Sequence, residues 1–377
     1  MWWSKRYELF YICFCSLLGS SHLFASNIFI PETQDSTQSN LHKFSIQGGI
    51  DLYATYDFLQ PKDRNRMYSF SSSRSNELNL NLAYISLKYS DKNLRAKFIP
   101  GFGTYTNMNY AQEKGSLKHI IEASIGFKPF KRRNIWIDAG VLPSPYTNES
   151  AISFEHEIYS RTFGSEYSPY FVTGLKCEIP FSRNVNGNFY LLNGWQTIQN
   201  TNNSLSVGTN LKFDLNSRVS INWNTYVGDE RTLNTPTYGL RYLSDLYIKY
   251  DSKKKWSWSA CYYGGIQLKD SLPDYNSQSQ WWQINSVLRY KFTPKVSLAG
   301  RLEYFEDAAF TSIEDNGISK GFSTWSSSVC LNVNIQKNAM FRLEGRYYWS
   351  EKPVYLKRNG HSVNSNELIL ANLSFWF

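Results

Sequence analysis

Residues 339–350 read Ala-Met-Phe-Arg-Leu-Glu-Gly-Arg-Tyr-Tyr-Trp-Ser. Phe341, Leu343, Gly345, Tyr347 and Trp349 share one face, and Arg342, Glu344, Arg346 and Tyr348 share the other. A period of two belongs to a β-strand, because successive side chains leave the pleated chain on opposite sides. The same alternation holds at 218–227, where Val219, Ile221, Trp223, Thr225 and Val227 oppose Arg218, Ser220, Asn222, Asn224 and Tyr226. It returns at 296–305, where Val296, Leu298, Gly300, Leu302 and Tyr304 oppose Arg301 and Glu303.

Followed outward from these three, the pattern gives about sixteen segments of the length a membrane-spanning strand needs. They start near Phe44, Asn76, Leu94, Leu117, Asn134, Pro169, Gly187, Ser204, Arg218, Leu240, Lys255, Trp281, Val296, Phe322, Ala339 and Glu367. Short turns at 90–93, 130–133, 182–186, 214–217, 251–254, 293–295 and 336–338 alternate with long polar connections at 59–75, 107–116, 143–168, 196–203, 228–239, 268–280, 306–321 and 351–366. That two-sidedness is what tight periplasmic turns and long external loops impose, and a soluble sandwich or propeller gives no reason for it. The expected fold is therefore all-β: a transmembrane, antiparallel, up-and-down β-barrel. At 77–89 the apolar parity changes, with Leu78, Leu80 and Leu82 on one face but Ile85, Leu87 and Tyr89 on the other, which predicts a bulge.

Composition agrees. The 27 Tyr, 24 Phe and 12 Trp make 17% of the chain aromatic, yet only 19% is charged, and the aromatics are interleaved with polar residues as two-faced strands require. The first residues differ: Lys5 and Arg6 precede an apolar run from Leu9 to Leu18, and small residues follow. This predicts a signal peptide over 1–25, too short to span a bilayer, then a periplasmic arm over 26–43 and the barrel over 44–377. Without Lys5, Arg6 and Glu8 the charge is about +8, from 38 basic and 30 acidic residues. The cations are scattered singly, so no nucleic-acid patch forms. Cys177, Cys261 and Cys330 are odd in number and far apart, which argues against a disulfide framework.

The last strand places Ile369, Ala371, Leu373, Phe375 and Phe377 on one face and ends on an aromatic residue, where soluble domains fray into polar ones. Phe375 and Phe377 are the candidate assembly signal, since terminal strands of outer-membrane barrels end in Phe.

Several segments, in order along the chain, carry a family likeness: R-S-N-E-L-N-L-N-L-A-Y (Arg74–Tyr84), W-I-D-A-G-V-L-P-S (Trp136–Ser144), E-S-A-I (Glu149–Ile152), S-P-Y (Ser168–Tyr170), L-N-G-W-Q (Leu192–Gln196) and R-L-E-Y (Arg301–Tyr304). With them the chain resembles the β-barrel porin family of Gram-negative outer-membrane proteins. The resemblance implies an outer-membrane location and a pore-like role, and it leaves the substrate open. The partners of such a barrel are outer-membrane lipids and lipopolysaccharide, the barrel-assembly machinery, and small polar solutes or ions. A homotrimer is one open assembly state.

The connection 143–167 is the longest and carries Glu149, Glu155, Glu157, Arg161 and Glu166. Long loops without secondary structure are usually functional. A loop of this length reaches across a lumen, and these residues are the candidate constriction. Folded inward, its acidic groups would oppose a basic wall and set up a transverse field; the alternative is a solvated external loop. Ionised side chains face lipid only at a cost of about 2–4 kcal/mol for Arg or Lys at the midplane. Arg241, Lys249, Arg289, Lys291, Arg301, Arg342 and Arg346 are thus the candidate lumen wall, and their excess over acidic residues in the second half favours anions.

Enzyme chemistry finds no support. No G-x-S-x-G, H-E-x-x-H or Gly-rich phosphate loop is present, and His42, His119, His156 and His361 are isolated. Glu155, His156 and Glu157 lack a second nearby His, so neither a metal nor another cofactor is expected. His119 alternates with Leu117 and Ile121 and is expected at the membrane interface. The expected function is a water-filled channel for passive diffusion, since sixteen strands leave an aqueous lumen. The alternative is a non-conducting barrel that presents loops for adhesion or serves as a structural surface protein.

Overall fold

The computed structural model describes residues 43–269, 278–315 and 317–377. The expected signal peptide and all of the arm but Lys43 lie outside these residues. In chain order the strands are β1 (Phe44–Asp57), β2 (Leu78–Ser90), β3 (Leu94–Phe102), β4 (Ile120–Phe127), β5 (Trp136–Pro143), β6 (Phe171–Pro180), β7 (Val185–Leu192), β8 (Ser206–Asn216) and β9 (Val219–Asp229). They continue as β10 (Tyr238–Asp251), β11 (Trp256–Lys269), β12 (Gln278–Lys291), β13 (Val296–Asp307), β14 (Phe322–Gln336), β15 (Ala339–Trp349), β16 (Tyr355–Leu356), β17 (Ser362–Val363) and β18 (Ser365–Trp376).

Each of β1–β15 pairs antiparallel with its neighbour in sequence, and β18 closes the ring against both β15 and β1. The sheet is a closed barrel of 16 strands; β16 and β17 form a two-stranded ladder in the last external connection. Closure leaves no unpaired sheet edge in the hydrocarbon, where each unbonded peptide group would be costly. Apolar side chains such as Leu246, Leu302, Val329, Leu343 and Leu373 lie exposed on the outer surface, as lipid-facing positions must.

The parity change in β2 is a bulge at Asn81. Asp51 pairs with Leu82 and Leu52 with Leu80, so one extra residue sits between them. Leu78 therefore faces out while Leu82 is buried inside. The bulged Asn81 serves as a bracket: its amide donates to Asp51 (2.7 Å) and accepts from the Ser72 backbone (2.9 Å).

Strand limits differ from the sequence reading mainly beside β4. Leu117 and His119 lie in a 3-10 turn, Gly115–His119, closed by Leu117 N–H donating to Lys114, so β4 begins only at Ile120. His119 contacts the carbonyl of Gly101 (3.2 Å) instead of alternating along a strand. Two short helices lie in the external connections, α1 (Thr104–Asn109) and α2 (Phe163–Glu166).

Candidate functional site

Residues 144–170 lie inside the barrel. The connection enters from the external end of β5, within which Gly140 has φ of +130° and a Cβ would lie 2.0 Å from the Ala123 carbonyl oxygen, so only glycine fits. Thr147 N–H donates to Asp245 of β10 (2.5 Å), and Tyr146 donates to the Thr225 carbonyl of β9 (3.3 Å). The chain then descends until Phe154 stacks on Trp376, next to the C-terminus, with ring centroids 4.4 Å apart.

From there it climbs along β12–β15. Arg342 donates to the backbone oxygen (2.6 Å) and hydroxyl (2.9 Å) of Ser153. Glu157 pairs with Arg289 (2.5 Å), and its carbonyl accepts from Asn332 (3.0 Å). Ser160 donates its N–H (2.7 Å) and hydroxyl (2.5 Å) to Glu344, while Arg301 donates to its carbonyl (2.6 Å). Phe163 N–H donates to Glu303, whose carboxylate also takes Arg346 (2.8 Å). Side chains of Arg301, Glu303, Glu344 and Arg346 are 0–3% exposed.

Two apolar contacts fix the same segment. Ile158 packs with Val287, Ala299 and Cys330, a greasy spot on a polar wall. Phe163 meets Phe305 (5.3 Å), Phe322 (5.6 Å) and Tyr348 (5.8 Å). Alternation alone reveals neither contact, although Val287, Ala299 and Cys330 are apolar on the strand faces that also carry Arg289, Arg301 and Asn332.

The loop's charged residues do not act as a single cluster. Glu149 accepts from Thr162 N–H (2.8 Å) and hydroxyl (2.9 Å), and lies 3.9 Å from Arg301. Arg161 donates to the Glu149 carbonyl (2.8 Å) and lies over the Tyr170 ring (4.6 Å). Glu166 reaches the other way, accepting from Phe70 N–H (3.0 Å), Ser71 N–H (3.1 Å) and the Tyr170 hydroxyl (2.5 Å). Burial raises its carboxyl pKa against the pull of Arg161 and these donors. Glu155 stays exposed and accepts from the Ser150 hydroxyl (2.5 Å). Burial lowers the His156 imidazole to about 3. The transverse field expected from opposed charges is thus largely replaced by direct pairing, because a loop this long reaches the wall and a desolvated charge needs a partner in contact.

Other wall cations vary. Arg241 lies over Trp195 (4.7 Å) and Trp281 (5.4 Å) and donates to Gln267 (2.8 Å). Lys249 and Lys291 form no ion pair among the described residues. Across the lumen, Arg95 chelates Asp138 (2.5 Å) and Glu178 (2.7 Å), Lys176 joins Asp138 (3.0 Å), Lys97 pairs with Glu122 (2.8 Å) and Lys212 with Asp214 (2.9 Å). These four cations keep side-chain exposures of 20–37%. Phe375 and Phe377 project outward, half exposed, beside the inward-facing Trp376.

A closed sixteen-stranded barrel, apolar outside and charged inside, with a loop folded into its lumen, defines the porin class of outer-membrane channel. The chain belongs to the family described as "Putative beta-barrel porin-2, OmpL-like", which matches residues 43–377. It is an outer-membrane diffusion channel and not an enzyme. No curated protein matches it in sequence. Among solved structures, the outer-membrane channel DcaP of Acinetobacter baumannii is similar with a TM-score of 0.58 and 10% identity, over 88% of this chain and 97% of that one. An anion-selective porin from Comamonas acidovorans gives 0.58 and 8%, over 89% and 99%. OmpT of Vibrio cholerae gives 0.53 and 10%, over 89% and 97%.

Proposed function

We propose that the inward loop is the constriction of a narrow channel that favours small anions and neutral polar solutes. The observation that carries this reading is an imbalance of pairing. Asp138, Glu157 and Glu303 are each in contact with a cation, whereas Lys249 and Lys291 have no ion-pair partner among the described residues. Fixed positive charge beside a narrow passage attracts anions while leaving them free to go.

Purified barrel in a planar bilayer tests this. Small stepwise conductance with anion-selective reversal potentials is expected, and deletion of Ser150–Tyr159 should raise the step size. A folded deletion variant with unchanged conductance and selectivity would leave the loop with no part in the constriction.

Two further assignments belong to the same reading. Phe375 and Phe377 serve the barrel-assembly machinery, so Phe377→Asp should lower outer-membrane yield, and an unaltered yield of heat-modifiable protein would end that assignment. A homotrimer draws support from OmpT, of which a trimer form is known (TM-score 0.51, 10% identity), and from the shortness of β3–β5, 9, 8 and 8 residues. A single-barrel mass in mild detergent would contradict it.

A further inference from the structure

At the periplasmic end a cavity of about 100 Å³ opens between the low point of the inward loop and the ends of β12–β15. Three structural units enclose it. The loop supplies Phe154, Glu155, His156 and Glu157; the wall supplies Arg289, Lys291 and Asn332; the turn 293–295 supplies Lys295. Met340 adds an apolar corner with Phe154.

Its charges are segregated by element. The carboxylates come from the loop and the cations from the wall and turn. Arg289 and Glu157 already satisfy each other at 2.5 Å. Glu155 on one side, and Lys291 and Lys295 on the other, have no ion-pair partner among the described residues. Two of the residues around it also carry buried nitrogens without a hydrogen-bond partner among the described residues: Nε of Arg289 and both ring nitrogens of His156. The unpaired carboxylate and ammonium groups are the ones that a ligand can complete, because they stand on opposite sides of the space.

The frame is rigid. Ser153 is held by Arg342, the Glu157 carbonyl by Asn332, and Phe154 by its stack on Trp376. A cavity whose walls are pinned before the ligand arrives loses little ordering entropy on binding.

We infer that this cavity is a subsite for small zwitterions, an α-amino acid with a compact apolar side chain. Its carboxylate sits toward Lys291 and Lys295, its ammonium toward Glu155, and its side chain against Met340 and Phe154. A simple anion would leave Glu155 facing it, and a simple cation would meet two lysines. Only a ligand carrying both charges satisfies both sides. The role of the site, retaining such a solute at the periplasmic exit, rests on the channel reading; its occupancy does not.

Calorimetric titration of the folded full-length barrel in detergent micelles tests occupancy without conduction, using L-alanine, propionate and ethylammonium as separate probes. L-alanine is expected to bind roughly tenfold tighter than either singly charged probe, because each of those loses one charge-assisted contact. Glu155→Gln and the double change Lys291→Gln/Lys295→Gln should each remove that preference. Far-ultraviolet circular dichroism and heat-modifiability establish that the variants are folded. Propionate binding as tightly as L-alanine, with Glu155→Gln silent, would overturn the zwitterion assignment in favour of a plain anion site. Absence of binding by all three probes would overturn the site itself. In either event the bilayer experiment still decides the channel reading independently.

Discussion

Strands β13–β15 and strands β3–β8 present charged residues inward from the same alternating pattern, yet they make two different surfaces. On β13–β15, Arg301, Glu303, Glu344 and Arg346 are 0–3% exposed and bonded to a loop that hides them. On β3–β8, Arg95, Lys97, Lys176 and Lys212 are paired along the wall itself and keep 20–37% of their side chains open. Alternation fixes which way a side chain points. Whether that direction leads to water or to protein is decided by what the loops do, and the two outcomes carry opposite energetics.

The sharpest way to break the comparison is to remove one partner on the dry wall. Glu303→Gln leaves Arg346 buried without its 2.8 Å carboxylate and weakens the acceptor for Phe163 N–H. Losing one member of a buried pair costs about 3–5 kcal/mol. The expected result is a fall of that size in urea stability, together with new protease cleavage within 150–165. Replacing the pair, Glu303→Leu with Arg346→Met, should recover much of the loss, since an apolar pair of similar volume is often neutral or better. Equal damage in the single and double variants would mean that the charges do more than hold each other.

A smaller effect is expected where the loop is held by shape. Ile158→Ala empties the contact with Val287, Ala299 and Cys330 at a cost of about 2–5 kcal/mol. Cys330 is the reporter, being fully buried beneath Ile158. Its thiol should resist a water-soluble alkylating reagent in the parent and react in the variant. Reaction at the same rate in both would show that Ile158 does not cover it.

The barrel was legible because its signal is repeated along the chain: the turn spacing and the two-residue period each recur, and even the Asn81 bulge announced itself through a change of parity. The loop's position was only partly legible. Its length and acidity suggested a lumenal role, but the contacts that seat it join residues far apart in sequence, Ser160 to Glu344 and Phe163 to Glu303. The anchors were least visible of all. Ser153 and Ser160 are ordinary serines until Arg342 and Arg301 are known to face them, and Ile158 looks like any loop isoleucine until three apolar residues are found on the opposing wall.

The smallest effect on stability, and the cleanest on selectivity, should come from the wet wall. Asp138 is shared by Arg95 at 2.5 Å and Lys176 at 3.0 Å. Asp138→Asn removes one negative charge, frees Lys176 and leaves Arg95 with Glu178 alone (2.7 Å), and both cations already reach water. The cations are partly hydrated, so the loss in stability should stay near 1 kcal/mol, far below that of Glu303→Gln. The lumen gains one positive charge, and the reversal potential should move toward the anion equilibrium value. The shift must also depend on salt. At 0.1 M the Debye length is about 10 Å and the freed charges act across much of a pore; at 1 M it is about 3 Å and the shift should largely vanish. On the dry wall no such dependence is expected, because buried pairs are screened little. A selectivity shift of equal size at both salt concentrations would place Asp138 in a dry environment and erase the distinction between the two walls.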